Sequence, residues 1–140
     1  MNFFTALQIS ASGLSAQRTR VDLATSNLAN AQSTRGPDGT PYRRLDPVLE
    51  AVPFESQLDA AGAGAAGVQV ASVVADPGPG RKVFQPGHPD ANADGFVTLP
   101  DVDPIHEVVN LMSASRSYEA NATAVETLKT MAQRALEIVR

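Results

Sequence analysis

Nineteen of the twenty glycine and proline residues fall between Gly36 and Pro104, and Gly13 is the only one outside that interval. Proline removes a helical hydrogen bond and clashes with the preceding turn, while glycine gives up backbone entropy. Long helices are therefore possible only at the two ends. The chain divides into residues 1–35 as an N-terminal helix, 36–103 as a Gly/Pro-rich insert and 104–140 as a C-terminal helix. Charge follows the same division: three bases and one acid in 1–35, four of each in 105–140, and four bases against ten acids between them. The insert is the acidic, solvated part.

In the first segment Leu7, Leu14, Val21 and Leu28 recur every seven residues, with Phe3 or Phe4, Ala11 and Ala24 in the intervening turns. That is a stripe of coiled-coil width. It weakens at Gln17 and Arg18, and Gly13 costs about 1 kcal/mol relative to alanine inside a helix, so this helix is expected to need partners. In the last segment Asp103 supplies a cap, Pro104 suits the first helical position, and Glu107 is favoured in the first turn by the helix dipole. Leu111, Tyr118, Val125, Ala132 and Val139 then repeat every seven residues, beside Ala114, Asn121, Leu128 and Ala135. These two stripes predict helices of ~40 Å and ~50 Å whose expected assembly seam comprises Leu7, Leu14, Val21, Leu28, Leu111, Tyr118, Val125, Leu128 and Ala132. Val108, Met112, Ala122, Met131 and Leu136 are left facing outward and need neighbours.

The insert begins with Gly36-Pro37-Asp38-Gly39, which fits a type I turn. Short strands are predicted near Tyr42–Val52, Val68–Val74, Lys82–Gln85 and Phe96–Leu99, from their β-branched and aromatic content between Pro/Gly breakers. They predict hairpins, not a large sheet. Residues 55–67 are expected to be flexible, above all the AAGAGAAG run from Ala60 to Gly67. The expected fold class is thus mainly α with a small β insert, the terminal helices packing as an elongated, coiled-coil-like domain.

Composition narrows the function. A chain of 140 residues with 43% apolar residues has room for one core, but it has no Trp, five Phe and two Tyr, so its apolar content is mainly Ala, Val and Leu. Formal net charge is −4 and no Lys/Arg cluster exceeds a pair, which excludes a nucleic-acid partner. The absence of Cys removes disulfides and thiolate metal sites and suits an oxidising compartment. Polar residues interrupt the opening Phe3–Ser10 stretch, so no cleaved signal peptide and no membrane span are expected. No Gly-x-Ser-x-Gly elbow accompanies any serine, and neither His88 nor His106 has helical metal-site spacing, so an enzyme is not expected.

One loop has ligand spacing. Asp90, Asn92 and Asp94 occupy positions one, three and five of a calcium-type loop, with Gly95 at six, Val97 at eight and Asp101 at twelve. Asp101 is shorter than the glutamate such loops use at that position, and Pro86, Pro89 and Pro100 deny the loop its flanking helices. The reading adopted is an Asx-rich turn, with no metal and no cofactor. Ser26-Asn27-Leu28-Ala29-Asn30-Ala31 is the other polar oddity, ending the first stripe with two amides instead of charges. Asn30 is expected to cap the helix, and Asn27 to make a polar contact inside a packed interface.

At Asn27-Leu28-Ala29-Asn30 the sequence resembles the flagellar rod, hook and hook-associated axial proteins. The resemblance becomes specific through Gly36-Pro37-Asp38-Gly39 with Pro41-Tyr42-Arg43, Pro86-Gly87-His88-Pro89 with Gly95-Phe96-Val97, Pro100-Asp101-Val102-Asp103, and Met112-Ser113-Ala114-Ser115-Arg116-Ser117-Tyr118-Glu119-Ala120-Asn121. In that order and spacing these motifs resemble the proximal-rod branch of the family over nearly the whole chain outside 55–67. Phe96 and Leu99 stand where tyrosine and methionine are expected, both mild apolar exchanges.

The resemblance implies a structural subunit whose terminal helices line a tubular rod, with the insert forming a small outer β part. It marks Ser26, Asn27, Leu28, Ala29, Asn30, Ala114, Ser115, Arg116, Tyr118, Glu119 and Asn121 as motif residues. It also implies export, unfolded and without a cleaved signal, through the flagellar type III apparatus. Assembly would follow in the periplasm, with copies of itself, other proximal and distal rod proteins and the rod-to-ring junction protein. Terminal helices that order only on docking fit that route. The alternatives are another axial rod subunit, or a coiled-coil interaction module with an acidic, calcium-binding insert.

Overall fold

The two ends form long helices, and the interval between them forms two small hairpins, in the computed structural model, which describes residues 3–36, 38–53 and 66–138. Helix α1 runs Phe3–Ala29 and α2 runs Pro104–Ile138, 27 and 35 residues, or about 40 and 52 Å at 1.5 Å per residue. Strands β1 (Leu45–Pro53) and β2 (Ala66–Ala75) pair antiparallel, as do β3 (Arg81–Phe84) and β4 (Phe96–Leu99), in two separate two-stranded sheets. The mainly α class with a small β insert is as the sequence predicts.

Local chemistry sets the boundaries. Asp103 Oδ1 accepts from Ile105 N–H at 2.9 Å and Glu107 N–H reaches Asp103 O at 3.0 Å, so α2 starts at the expected cap and proline. At the end of α1, Asn30 Nδ2 donates to Ser26 O at 2.9 Å, a second bond to the carbonyl that already accepts the Asn30 N–H at 3.0 Å. Gly39 N–H bonds to Gly36 O at 3.0 Å, closing the expected turn, in which Pro37 lies outside the described residues. Gly80, just before β3, has φ +77°, and a Cβ there would stand 2.6 Å from Leu99 O. Only glycine fits where the chain turns this close against β4.

Two expectations are corrected. The first strand starts at Leu45 rather than Tyr42, because Tyr42 N–H bonds to Ser33 O (3.3 Å) and its hydroxyl turns to α1. Ala66 and Gly67, read as the end of a flexible loop, belong to β2. The small size of Gly67 serves a close approach. Val68 N–H donates to Ser12 Oγ of α1 at 3.1 Å, and a Cβ on Gly67 would meet that oxygen at 3.1 Å. Residues 55–65 of the expected loop, and Val139, lie outside the described residues.

Helices α1 and α2 pack antiparallel, and α1 also carries the β1–β2 hairpin. Among the described residues the buried apolar side chains are Ala16, Ala24, Ala31, Val97, Val102 and Ala114, with Pro100. Four alanines, two valines and a proline are a thin core. Together with buried Asn27 and Glu107, the helix residues among them lie in one half of the pair, from the middle of α1 at Ala16 to its C-terminal end; within 3–15 and 115–137 no described residue is fully buried.

Candidate functional site

The most buried polar cluster in the described chain lies at that end of the helix pair, where α1, α2 and the approach to β1 meet. Asn27, 1% exposed, uses both donors and both acceptor sites of its amide. Nδ2 donates to Leu45 O at 2.9 Å and to Glu107 Oε2 at 3.2 Å. Oδ1 accepts from Leu45 N–H and from the Tyr42 hydroxyl, each at 2.9 Å. Toward Leu45 the amide thus behaves as a strand neighbour would, giving β1 a partner on α1. The Tyr42 hydroxyl also lies 3.3 Å from Ser26 Oγ.

Glu107, 2% exposed, takes the other end of the cluster. Its Oε1 accepts from Arg44 Nε at 2.6 Å, and Arg44 also bonds Asp46 through Nη1. A carboxylate this buried is tolerable only with charge pairing and hydrogen bonds to both oxygens, and it has both. Burial works to lower the pKa of Arg44, but the bond to Glu107 and the charges of Asp46 and Glu107 outweigh it and raise the pKa further. Arg44 is a permanent cation. No buried side-chain nitrogen or oxygen among the described residues lacks a partner. A cluster this fully satisfied is a joint, and no nucleophile paired with a base stands in it.

Sequence reasoning placed Asn27 in a polar packed contact and missed what completes it. Glu107 was assigned to the helix dipole, yet it shares a heptad line with Ala114, Asn121 and Leu128, and that spacing marks an inward face. Gly13 was read as a weak point. A Cβ on it would come within 2.9 Å of Asn121 Nδ2, so the glycine makes room for Asn121 where the helices approach.

The remaining motif residues divide between faces. Ala114 is fully buried; Ser26, Leu28, Asn30, Ser115 and Asn121 are half-buried; Ala29, Arg116, Tyr118 and Glu119 are exposed. Of the seam positions, Leu7, Leu14, Val21, Leu28, Leu111, Val125, Leu128 and Ala132 are half-buried and Tyr118 is 40% exposed. On the outer side of α2, Ile105 (76%), Val108 (40%), Val109 (59%) and Met112 (52%) are exposed at helical spacings of three, four and seven. Met131 and Leu136 are exposed further along the same helix.

In the loop with calcium-type spacing, Asp90 and Asn92 have their side-chain oxygens in use. Asp90 Oδ1 pairs with Arg35 Nη2 at 2.9 Å and Oδ2 accepts from Thr34 Oγ1 at 2.8 Å, while Asn92 Oδ1 accepts from the N–H groups of Asp94 (3.0 Å) and Phe96 (2.8 Å). Asp101 lines a different cleft from Asp90 and Asn92. Among the described residues no group of three or more His, Cys, Asp or Glu is placed to hold a metal. His88 Nδ1 accepts from Asp90 N–H at 3.1 Å, and His106 is exposed beside the buried cluster. No described helix is long and apolar enough to cross a membrane.

Comparison with known proteins assigns the class. Residues 7–37 match the model described as flagella basal body rod protein, and residues 93–138 match the C-terminal model of the flagellar basal body rod FlgEFG proteins. The two matches cover α1 from Leu7 onward with the segment after it, and β4 with α2: this is a rod-type flagellar axial chain. The flagellar basal-body rod protein FlgC of Salmonella typhimurium is 45% identical over 139 residues, covering 99% of this chain and 98% of that one. Those of Bacillus subtilis (42% over 148 residues, 99% of each) and Aquifex aeolicus (42% over 137 residues, 98% and 97%) are similar along their whole lengths. The chain belongs to the FlgC family of flagellar basal-body rod proteins.

Proposed function

We propose that the protein is a structural subunit of the flagellar basal-body rod, joining copies of itself and other axial proteins through its terminal helices into a tubular drive shaft for motility. The observation that carries this reading is the outer strip of α2, Ile105, Val108, Val109 and Met112, left in solvent by a chain whose described core is four alanines, two valines and a proline. Fully burying such a side chain contributes about 1.5–3 kcal/mol, and the isolated chain forgoes the part carried by the fraction still exposed, 40% to 76% here. Contact between two different faces of successive subunits, repeated with a rotation that does not close, builds a helical tube. Family membership supports the basal body as the location and rod components as partners.

The finer account is that the chain leaves the cell unfolded through the flagellar type III apparatus, without a cleaved signal, and assembles in the periplasmic part of the rod beside the more distal rod subunits and the rod-to-ring junction protein. The seam residues from Leu7 to Ala132 and the distal turns of both helices complete their burial there. No catalytic step is assigned. The test is deletion of the gene: cells are expected to keep membrane rings and lack rods, with both rods and swimming restored by the intact gene. Normal rods in the deletion strain would refute the reading.

A further inference from the structure

The contact between α1 and α2 has a repeat that does not determine how far one helix slides along the other. Ala16, Ala24 and Ala114 are its tightly buried apolar positions, and Leu111, Val125, Leu128 and Ala132 follow at heptad spacing. A slide of one heptad would set Asn27 against Ala114 and Gly13 against Leu128, and apolar packing alone distinguishes that arrangement poorly. Two other contacts do distinguish it. Asn27 bonds Glu107 at 3.2 Å, and Gly13 gives Asn121 its space. Asn27 lies fourteen residues after Gly13, and Glu107 fourteen before Asn121. Both contacts therefore demand the same antiparallel register, and each occupies one line of the heptad two turns of the repeat apart.

We propose that the Asn27–Glu107 and Gly13–Asn121 contacts are the keys that set the axial register of the helix pair, and that the alanine-lined seam supplies adhesion without register. A slide of one heptad breaks both keys together. In one direction Glu107 passes beyond the end of α1; in the other Asn27 faces Pro100, before α2 begins. The first key is also tied to the hairpin, since Asn27 holds Leu45 through both backbone groups and Glu107 holds Arg44. The height of the β1–β2 hairpin along the helix pair is thereby fixed by the same residues. A subunit stacked by its helices then presents its outer β part at one level.

The absence of cysteine makes disulfide mapping of the purified full-length chain direct. Asn110→Cys is combined in separate chains with Ala24→Cys, which reports the native register, and with Gln17→Cys or Ala31→Cys, which report slides of one heptad either way. With the keys intact, oxidation is expected to join residue 110 to residue 24 alone. With both keys removed, by the near-isosteric apolar replacements Asn27→Leu and Glu107→Met together with Asn121→Ala, the single-product pattern is expected to be lost: the 24–110 yield falls and a 17–110 or 31–110 product appears, with helix content by circular dichroism retained. An unchanged 24–110 product alone would overturn the proposal by giving register to the rest of the seam. Loss of helix content, or a fall in the 24–110 yield with no new product, would overturn it equally, by making the cluster a requirement for folding instead of a key.

Discussion

Asn27 bonds two segments of chain distant from it in sequence, and Glu107 is the acid that makes the arrangement charge-dependent. Removing one member of a buried hydrogen-bonded pair costs more than the pair contributes, because the partner stays buried and unpaired. Glu107→Ala is therefore expected to lower stability by about 3–5 kcal/mol, read as a fall in the urea midpoint, with Arg44 left to Asp46. The sign for Arg44 is that of a cation whose folded pKa is raised: its contribution is complete below the ordinary arginine value and is lost only above it. It does not vary from neutral pH to about pH 10. Gly13→Ala tests the other contact. Helix propensity alone favours alanine by about 1 kcal/mol, but the new methyl would sit 2.9 Å from Asn121 Nδ2, so the amide at the end of that side chain must swing aside and offsets part of the gain. The variant is expected to rise in urea midpoint by less than the propensity difference, and Asn121→Ala added to it to release the rest.

Along the elements, burial is graded. The end of the pair containing Ala24, Asn27, Ala31, Val102 and Glu107 is closed, whereas Leu7 and Leu128 at the far end are only half-buried. Hydrogen exchange of the dilute chain is expected to be slow near 20–29 of α1 and 107–114 of α2, and fast over 3–12 and 122–137, with helix content below the 62 residues of the two helices. Uniform protection along both helices would contradict this. The same contrast explains what could be read in advance. The start of α2 was legible because Asp103 and Pro104 act locally, and so were the hairpins, whose β-branched runs stand between Pro/Gly breakers. Asn30 turns its amide back to the end of α1 as its residue type predicts, but to a carbonyl its own N–H already bonds. Glu107, Arg44 and Tyr42 were not legible as one site, since their meeting depends on a pairing 80 residues apart in sequence between Asn27 and Glu107. Gly67 misled for a related reason: a small residue chosen for close approach to Ser12 looks, in sequence, like one chosen for flexibility.

For the whole molecule, the central claim is that a chain with this thin a core is completed by its neighbours, through the outer strip of α2. Val109 and Met112 are 59% and 52% exposed, so charges there are tolerated by the isolated subunit and are costly only once a neighbour must desolvate them. The measurement that tests this most directly is imaging of basal bodies from cells in which Val109→Asp and Met112→Asp together replace the native residues, with the purified variant checked for unchanged helix content and urea midpoint. The account predicts membrane rings without rods, and cells that do not swim. Complete rods and normal swimming with both charges in place would contradict it.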